Sequence, residues 1–180
     1  MNEEFTGNIF LGLGANTGNR LMFLKTAVQM LEEDPYTRIV KVSSVYESEP
    51  YGLKEQDNFL NAVVMIATRR DLFELHKWIK DLEVRIGRHE GPRWGPREID
   101  IDLLFYNDVT YSDVRLTVPH KEVLLRDFVL IPLKEISGEF VHPGEGVRIA
   151  DIETGKIEKL IFATHKTALS DRSGENIDGV

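Results

Sequence analysis

The sequence predicts an α/β fold of the α+β kind: a ferredoxin-like βαββαβ sandwich, helices packed on one face of an antiparallel sheet, with C-terminal additions. Three observations carry the prediction. Apolar residues switch between a spacing of two and a spacing of three to four in the order β-α-β-β-α-β. Gly, Pro and Asp punctuate the chain where those spacings change. The length, 180 residues with 42% hydrophobic side chains, suits one packed core.

Taken in order, Asn8 to Leu13 (NIFLGL) reads as a buried strand ended by Gly12 and Gly14. Leu21, Leu24, Val28 and Leu31 then fall on helical spacing, and Asp34-Pro35 stops that helix. Arg38 to Tyr46 is rich in β-branched residues and is expected as one strand; Ser48 to Asn58, with Pro50 and Gly52, is a loop. Phe59 to Thr68 is again a strand. Asp71 can cap a second helix with a buried face of Leu72, Leu75, Ile79, Leu82 and Ile86, and Gly87 can end it. The segment from Arg88 to Arg97 holds two Gly, two Pro and three Arg, which excludes a helix. Ile99, Ile101, Leu103 and Phe105 then alternate with Asp100, Asp102 and Leu104, the period of a strand. Beyond it lie a hairpin near Asn107-Asp108, an apolar segment from His120 to Ile136, and Pro-Gly turns from Val141 to Gly146. Residues 156–163 fit a helix or a strand equally. The polar end of the 151–180 extension is expected to be partly disordered.

Composition narrows the function. The net charge is −8, which opposes a general nucleic-acid or anionic-membrane binder. No apolar run approaches the roughly 20 residues of a bilayer span, and MNEEFTGN has no signal-peptide character. The absence of Cys removes disulfides, thiolate zinc sites and cysteine nucleophiles, and a cytoplasmic location is expected.

Two constellations can carry chemistry. Asp100 and Asp102, two apart on a strand, project to one face, and paired carboxylates suit a hard divalent cation that keeps water and phosphate ligands. The competing reading is a solvated strand whose acids deter edge pairing. Just upstream, Arg85, Arg88, Arg93 and Arg97 face a single acid, Glu90, so an acidic chain contains a basic window. Guanidinium forks suit phosphate oxygens, and the Gly-Pro pairs make a chain that can swing as a lid, with Trp94 covering or anchoring it. The plain alternative is a basic surface loop paired with nearby acids. A second polar cluster comprises Arg115, Thr117, His120 and Arg126. Phe59 and Phe128 are core residues or a pair of aromatic faces for a flat heterocycle, and Asn61 shares the Phe59 face and can read a ring edge. Glu83 is either solvated or in contact with Arg or nucleotide. GLGANTG lacks the Lys-Ser/Thr of a P-loop and reads as a tight strand-to-helix turn.

RWGPREIDIDLL, from Arg93 to Leu104, closely resembles the signature of the 6-hydroxymethyl-7,8-dihydropterin pyrophosphokinases of folate biosynthesis. LGLGANTGNR, VSSVYESEPYG, DNFLNAVV, the Glu83-to-Arg88 segment and RLTVPH with Arg126 and Phe128 extend the resemblance in order from Ile9 to Ile149. It implies a catalytic domain over residues 1–150 that transfers pyrophosphate from ATP to the pterin hydroxymethyl group, leaving AMP. It implies two Mg²⁺ ions at Asp100 and Asp102, with Arg88, Arg93 and Arg97 serving the triphosphate and lid closure. Glu83, Trp94, Arg115, Thr117, His120 and Arg126 would serve the nucleotide, with Thr117 by the adenine. Phe59 and Phe128 would enclose the pterin, Asn61 would read its edge, and Ser48, Pro50 and Tyr51 would line its pocket. Glu90 and Lys121 depart from the pattern, standing where members often carry a basic and an aromatic residue. Another class of reading is a binding or regulatory module that holds nucleotide without turnover; an RNA-binding version lacks the interleaved basic and aromatic platform it needs.

Overall fold

The computed structural model describes residues 4–50, 55–89, 91, 95–154 and 161–162. Strand β1 (Thr6–Ala15) runs through the middle of a six-stranded sheet, with β5 (Asp100–Tyr106) on one side and β4 (Phe59–Thr68) on the other, both antiparallel. Two edge strands, β2 (Thr37–Val42) and β3 (Tyr46–Ser48), share the far side of β4, and β8 (Ile161–Phe162) adds to β3. With α1 (Arg20–Glu33) and α2 (Leu72–Ile86) as crossovers, this is the expected βαββαβ order with one strand split into β2 and β3.

Local chemistry explains the helix ends. Asn19 caps α1 by accepting from the Met22 amide, and Pro35 stops it after Glu33. Asp71 and Glu74 form a reciprocal capping box at the start of α2. Gly87 ends α2 at φ +120°, a backbone conformation costly for any residue with a Cβ, while its N–H reaches the Glu83 and Val84 carbonyls.

Side-chain alternation along β1 divides the interior into two cores. Ile9, Leu11, Leu13 and Ala15 pack with Leu24, Ala27, Val28 and Leu31 of α1 and Leu75, Ile79 and Leu82 of α2. Phe10, on the opposite face, packs with Val63, Leu104 and Phe105 under Val129, Leu130, Leu133 and Ile136 of α3 (Asp127–Ser137). The two crossover helices therefore share one face, as expected, and α3 adds a helix on the other. Helix α3 comes from the apolar segment after His120, whose element type the periodicity left open.

Other differences have local causes. Gly12 and Gly14 lie within β1 rather than ending it. The strand expected from Arg38 to Tyr46 is broken. Ser43 accepts the Val63 amide with its Oγ, and Glu135 of α3 takes the Ser44 amide, the Ser44 hydroxyl and the Tyr46 hydroxyl, so side chains replace ladder bonds there. Phe105 leaves the Ile101–Leu103 face because β5 bulges: Leu11 opposes Leu103 but Phe10 opposes Phe105, so the extra residue, Leu104, reverses the alternation. Asn107, at φ +51°, makes a turn. The hairpin follows later, between β6 (Tyr111–Ser112) and β7 (Thr117–Val118). Leu21 sits on the exposed side of α1, and Ala27 takes its place in the core. No helix among the described residues is long and apolar enough to cross a membrane.

Candidate active site

Helix α3 covers only part of its face of the sheet, and the uncovered part is the floor of a cavity. Gly14 of β1 is paired with Asp100 of β5 on one side and with Asn61 of β4 on the other; Gly12 is paired likewise with Asp102 and Val63. Cross-strand partners share a face, so the two carboxylates and the Asn61 amide stand over a middle strand with no side chains. A Cβ on Gly14 would lie 3.6 Å from Asn61 Oδ1 and 3.8 Å from Phe59 Cδ1, and one on Gly12 would press on Leu104 at 3.3 Å. The alternation L-G-L-G-A thus fills the core with one set of positions and keeps the floor open with the other. The strand-to-helix reading of these glycines missed this.

The cavity, of about 280 Å³, is lined by Ser48, Phe59 and Asn61 on one side, Arg97, Asp100 and Asp102 on another, and His120, Arg126 and Phe128 on a third. Nine of the residues singled out from sequence therefore converge. Asn61 is 5% exposed and donates through Nδ2 to Ser48 Oγ at 2.9 Å, which sets the amide's orientation. His120 enters after a cis Val118–Pro119 peptide, its amide bonded to the Leu104 carbonyl at 2.9 Å. Burial lowers its pKa, against the pull of Asp102, so the ring is neutral near pH 7. Asp102 is raised by burial and by the charge of Asp100 beside it.

Asp100 is held by two arginines. Arg88 Nη1 donates to Oδ1 at 2.8 Å and Arg97 Nη1 to Oδ2 at 3.0 Å. Arg88 also pairs with Glu83, which is 2% exposed. Burial works against the Arg88 charge, but Asp100 and Glu83 outweigh it and hold the guanidinium above its ordinary range. Glu83 is pushed up by burial, offset by Lys80, the Ile101 amide and Arg88. It accepts the Ile101 amide at 2.6 Å while Lys80 donates to the Ile101 carbonyl at 3.0 Å. Two side chains of α2 thereby grip the backbone between the two aspartates. Lys80, Glu83, Arg88, His89 and Arg97 line a second cavity, of about 410 Å³; Arg97 lines both.

Asn16, 1% exposed, ties the walls together. Its Oδ1 accepts the Arg97 amide at 2.7 Å, while Nδ2 donates to Gln56 Oε1 at 3.0 Å and the Asp57 carbonyl at 3.2 Å. Sequence reasoning missed Asn16, and nothing in its spacing could have found it. Glu49, Lys121 and Glu122 also line the first cavity. Arg115 is exposed, Thr117 pairs with Ser112 in the β6–β7 hairpin, and Pro50 borders the Ser48 wall; none of the three lines either cavity. Tyr51, Arg93, Trp94 and Glu90 lie outside the described residues.

The donor set suits a hard cation. Asp100 and Asp102 offer two neighbouring carboxylates, which would fit an ion that takes its other ligands from water and phosphate. That is the preference of Mg²⁺, and it would relieve the repulsion that raises Asp102.

Residues 10–138 match the family described as 7,8-dihydro-6-hydroxymethylpterin-pyrophosphokinase (HPPK). The chain belongs to the HPPK family. A 2-amino-4-hydroxy-6-hydroxymethyldihydropteridine pyrophosphokinase of Aquifex aeolicus is 44% identical over 135 residues, covering 75% of this chain and 83% of that protein. The protein of the same name in Methylorubrum extorquens is 42% identical, covering 84% and 97%. Among solved structures, wild-type Plasmodium falciparum HPPK-DHPS superposes with a TM-score of 0.64 at 17% identity, over 83% of this chain and 44% of that one. The HPPK match ends before the 3-10 turn Ile149–Asp151 and contains every described residue of the first cavity's floor.

Proposed function

We propose that this chain transfers a pyrophosphoryl group from ATP to the hydroxymethyl group of 6-hydroxymethyl-7,8-dihydropterin, giving AMP and the pterin diphosphate, within the cytoplasm. The observation that carries this reading is the position of Asp100. It lines the aromatic, amide-bearing cavity and is gripped by Arg88 of the second cavity and by Arg97, which lines both. A flat pterin fits between Phe59 and Phe128, with the Asn61 amide at its edge and Ser48 beside it. The triphosphate fits along Arg88, Arg97, His120 and Arg126, with Glu83 holding Arg88 in place. Arg93 and Trp94 belong to the same loop and would complete its cover; Arg115 and Thr117 would meet the nucleoside, and Pro50 and Tyr51 the pterin.

The hydroxymethyl oxygen attacks the β-phosphorus, the bond from β-phosphorus to the α–β bridging oxygen breaks, and AMP leaves with that oxygen. Mg²⁺, two ions expected, would be held by Asp100 and Asp102 and would neutralise phosphate charge. The chain's residues contribute position and charge. The aromatic pair aims the hydroxymethyl group, the guanidinium groups stabilise charge spread over the phosphates, and His120 donates a hydrogen bond to them. No side chain is assigned as a dedicated general base, and alignment and electrostatics carry the rate.

The test is AMP formation from ATP by purified protein, with an absolute requirement for both Mg²⁺ and the pterin. Binding of both ligands with no AMP formed would leave a nucleotide-binding module without turnover.

A further inference from the structure

The cavity that receives a triphosphate contains an acid that neither the carboxylate pair nor the pterin contacts use. Glu122 lines it beside Arg126, and the two form a close ion pair across one turn of chain. The side chains are 26% and 13% exposed, so the pair is largely withdrawn from solvent. Glu122 is held in place by its own backbone: its N–H reaches His120 Nδ1 at 3.3 Å and its carbonyl accepts the Leu125 amide at 3.1 Å. The Arg126 guanidinium also lies 5.6 Å from the centroid of the Phe128 ring, so one arginine borders both the anion wall and the aromatic wall.

An anion-binding arginine loses water on burial and needs a counter-charge while no ligand is present. Asp100 serves that purpose for Arg88 and Arg97, and a cation between Asp100 and Asp102 would offset its charge when ATP arrives. Glu122 has no such offset. Its carboxylate occupies the Arg126 Nη2 that a phosphate oxygen would otherwise take.

We infer that Glu122 is a resident counter-ion that sets nucleotide affinity by competing with the ATP phosphates for Arg126. It keeps Arg126 oriented in the free protein, and it weakens ATP binding so that nucleotide does not saturate the site too tightly. Phosphate binding separates the pair. The effect grows with the charge of the ligand, because it arises from repulsion between like charges. The inference rests on the reading of this cavity as the ATP site.

Glu122→Gln tests it, since the amide keeps the shape and an acceptor for Arg126 but removes the charge. Calorimetric titration of the full chain with ATP and Mg²⁺, in the absence of pterin, reads the affinity. The expected result is an ATP Kd lower by roughly 3- to 10-fold, the size of a partly screened like-charge contact, shrinking in high salt. The gain for AMP should be under about 2-fold, because fewer charges are repelled. In an Arg126→Gln background the Glu122→Gln gain should fall to the part that comes from like-charge repulsion alone, because the contested partner is gone. Unchanged or weaker ATP binding by Glu122→Gln, or an equal gain for AMP, overturns the inference. Absence of ATP binding by the unaltered protein overturns the functional reading itself.

Discussion

Replacing Asn16 with Ala should loosen both walls of the cavity while leaving the sheet intact. The side chain is 1% exposed and makes three hydrogen bonds, to the Arg97 amide and to Gln56 and Asp57. At about 1 kcal/mol for each buried bond, and somewhat more for the groups left unsatisfied, the loss is roughly 2–4 kcal/mol. All three partners sit on loops, so the cost falls on local opening before global unfolding. At 1.4 kcal/mol per factor of ten, hydrogen exchange of the Arg97 amide should quicken by roughly 30- to 1,000-fold, and peptides covering residues 55–58 should lose protection too. Arg97 would be held over Asp100 less firmly, with the Asn16 backbone amide still donating to the Arg97 carbonyl at 3.0 Å, and a displacement near 1 Å is enough to cost on the order of 100-fold in turnover. Asn16→Asp separates the two arms: it keeps the acceptor for the Arg97 amide but sets a carboxylate against the Asp57 carbonyl. It should therefore free residues 55–58 more than residue 97. Wild-type protection at Arg97 in the Ala variant, or a loss confined to pterin affinity with turnover intact, would refute the argument.

Other perturbations reach different parts of the molecule. Asp102→Asn should abolish AMP formation without lowering the melting temperature, because it removes a charge already disfavoured by burial and by Asp100; full activity would sink the metal assignment. Gly14→Val should raise the pterin Kd at least about 10-fold and leave ATP binding within about 2-fold. The strand backbone accepts Val, but its methyls enter the space beside Asn61 and Phe59, and unchanged pterin titration would contradict the open-floor reading. Asp34→Asn should cost about 1.5–3 kcal/mol near neutral pH, since Arg70 grips Asp34 with bonds of 2.7 and 2.9 Å. Burial alone would raise the Asp34 pKa, but Arg70, Thr37 and the Tyr36 amide lower it, so its stabilisation is present above the ordinary carboxylate range and lost as pH falls through the depressed value. The difference in melting temperature between wild type and Asp34→Asn should accordingly shrink below about pH 4; a gap that stays constant into acid would count against the pair.

Legibility followed the range of each interaction. Phe59–Thr68 and Leu72–Ile86 emerge with the boundaries their spacing and caps announce, because a capping box and a glycine stop act within a few residues. The β2–β3 break and the face of Phe105 were not readable. One depends on Glu135, which reaches Ser44 from 91 residues away, and the other on a one-residue mismatch between strands. Among site residues, Asp100 and Asp102 are legible as a pair because a strand places alternate residues together. Gly12 and Gly14 are legible in type but not in purpose, since their value lies in what stands on the neighbouring strands.

The sequence by itself determined the element order, the family, the carboxylate pair and the arginine-rich loop beside it, all of which are local patterns or spaced motifs. Only the tertiary structure decided that α3 would cover part of one sheet face and leave another part as the floor of a cavity. It also decided that Asp100 would be shared by two arginines, that Asn16 would join the walls, and that Glu122 would sit on Arg126 among groups suited to phosphate. The physical reason is that each of these depends on strand register and on which surfaces the helices leave uncovered, and neither quantity is written in the spacing along one chain.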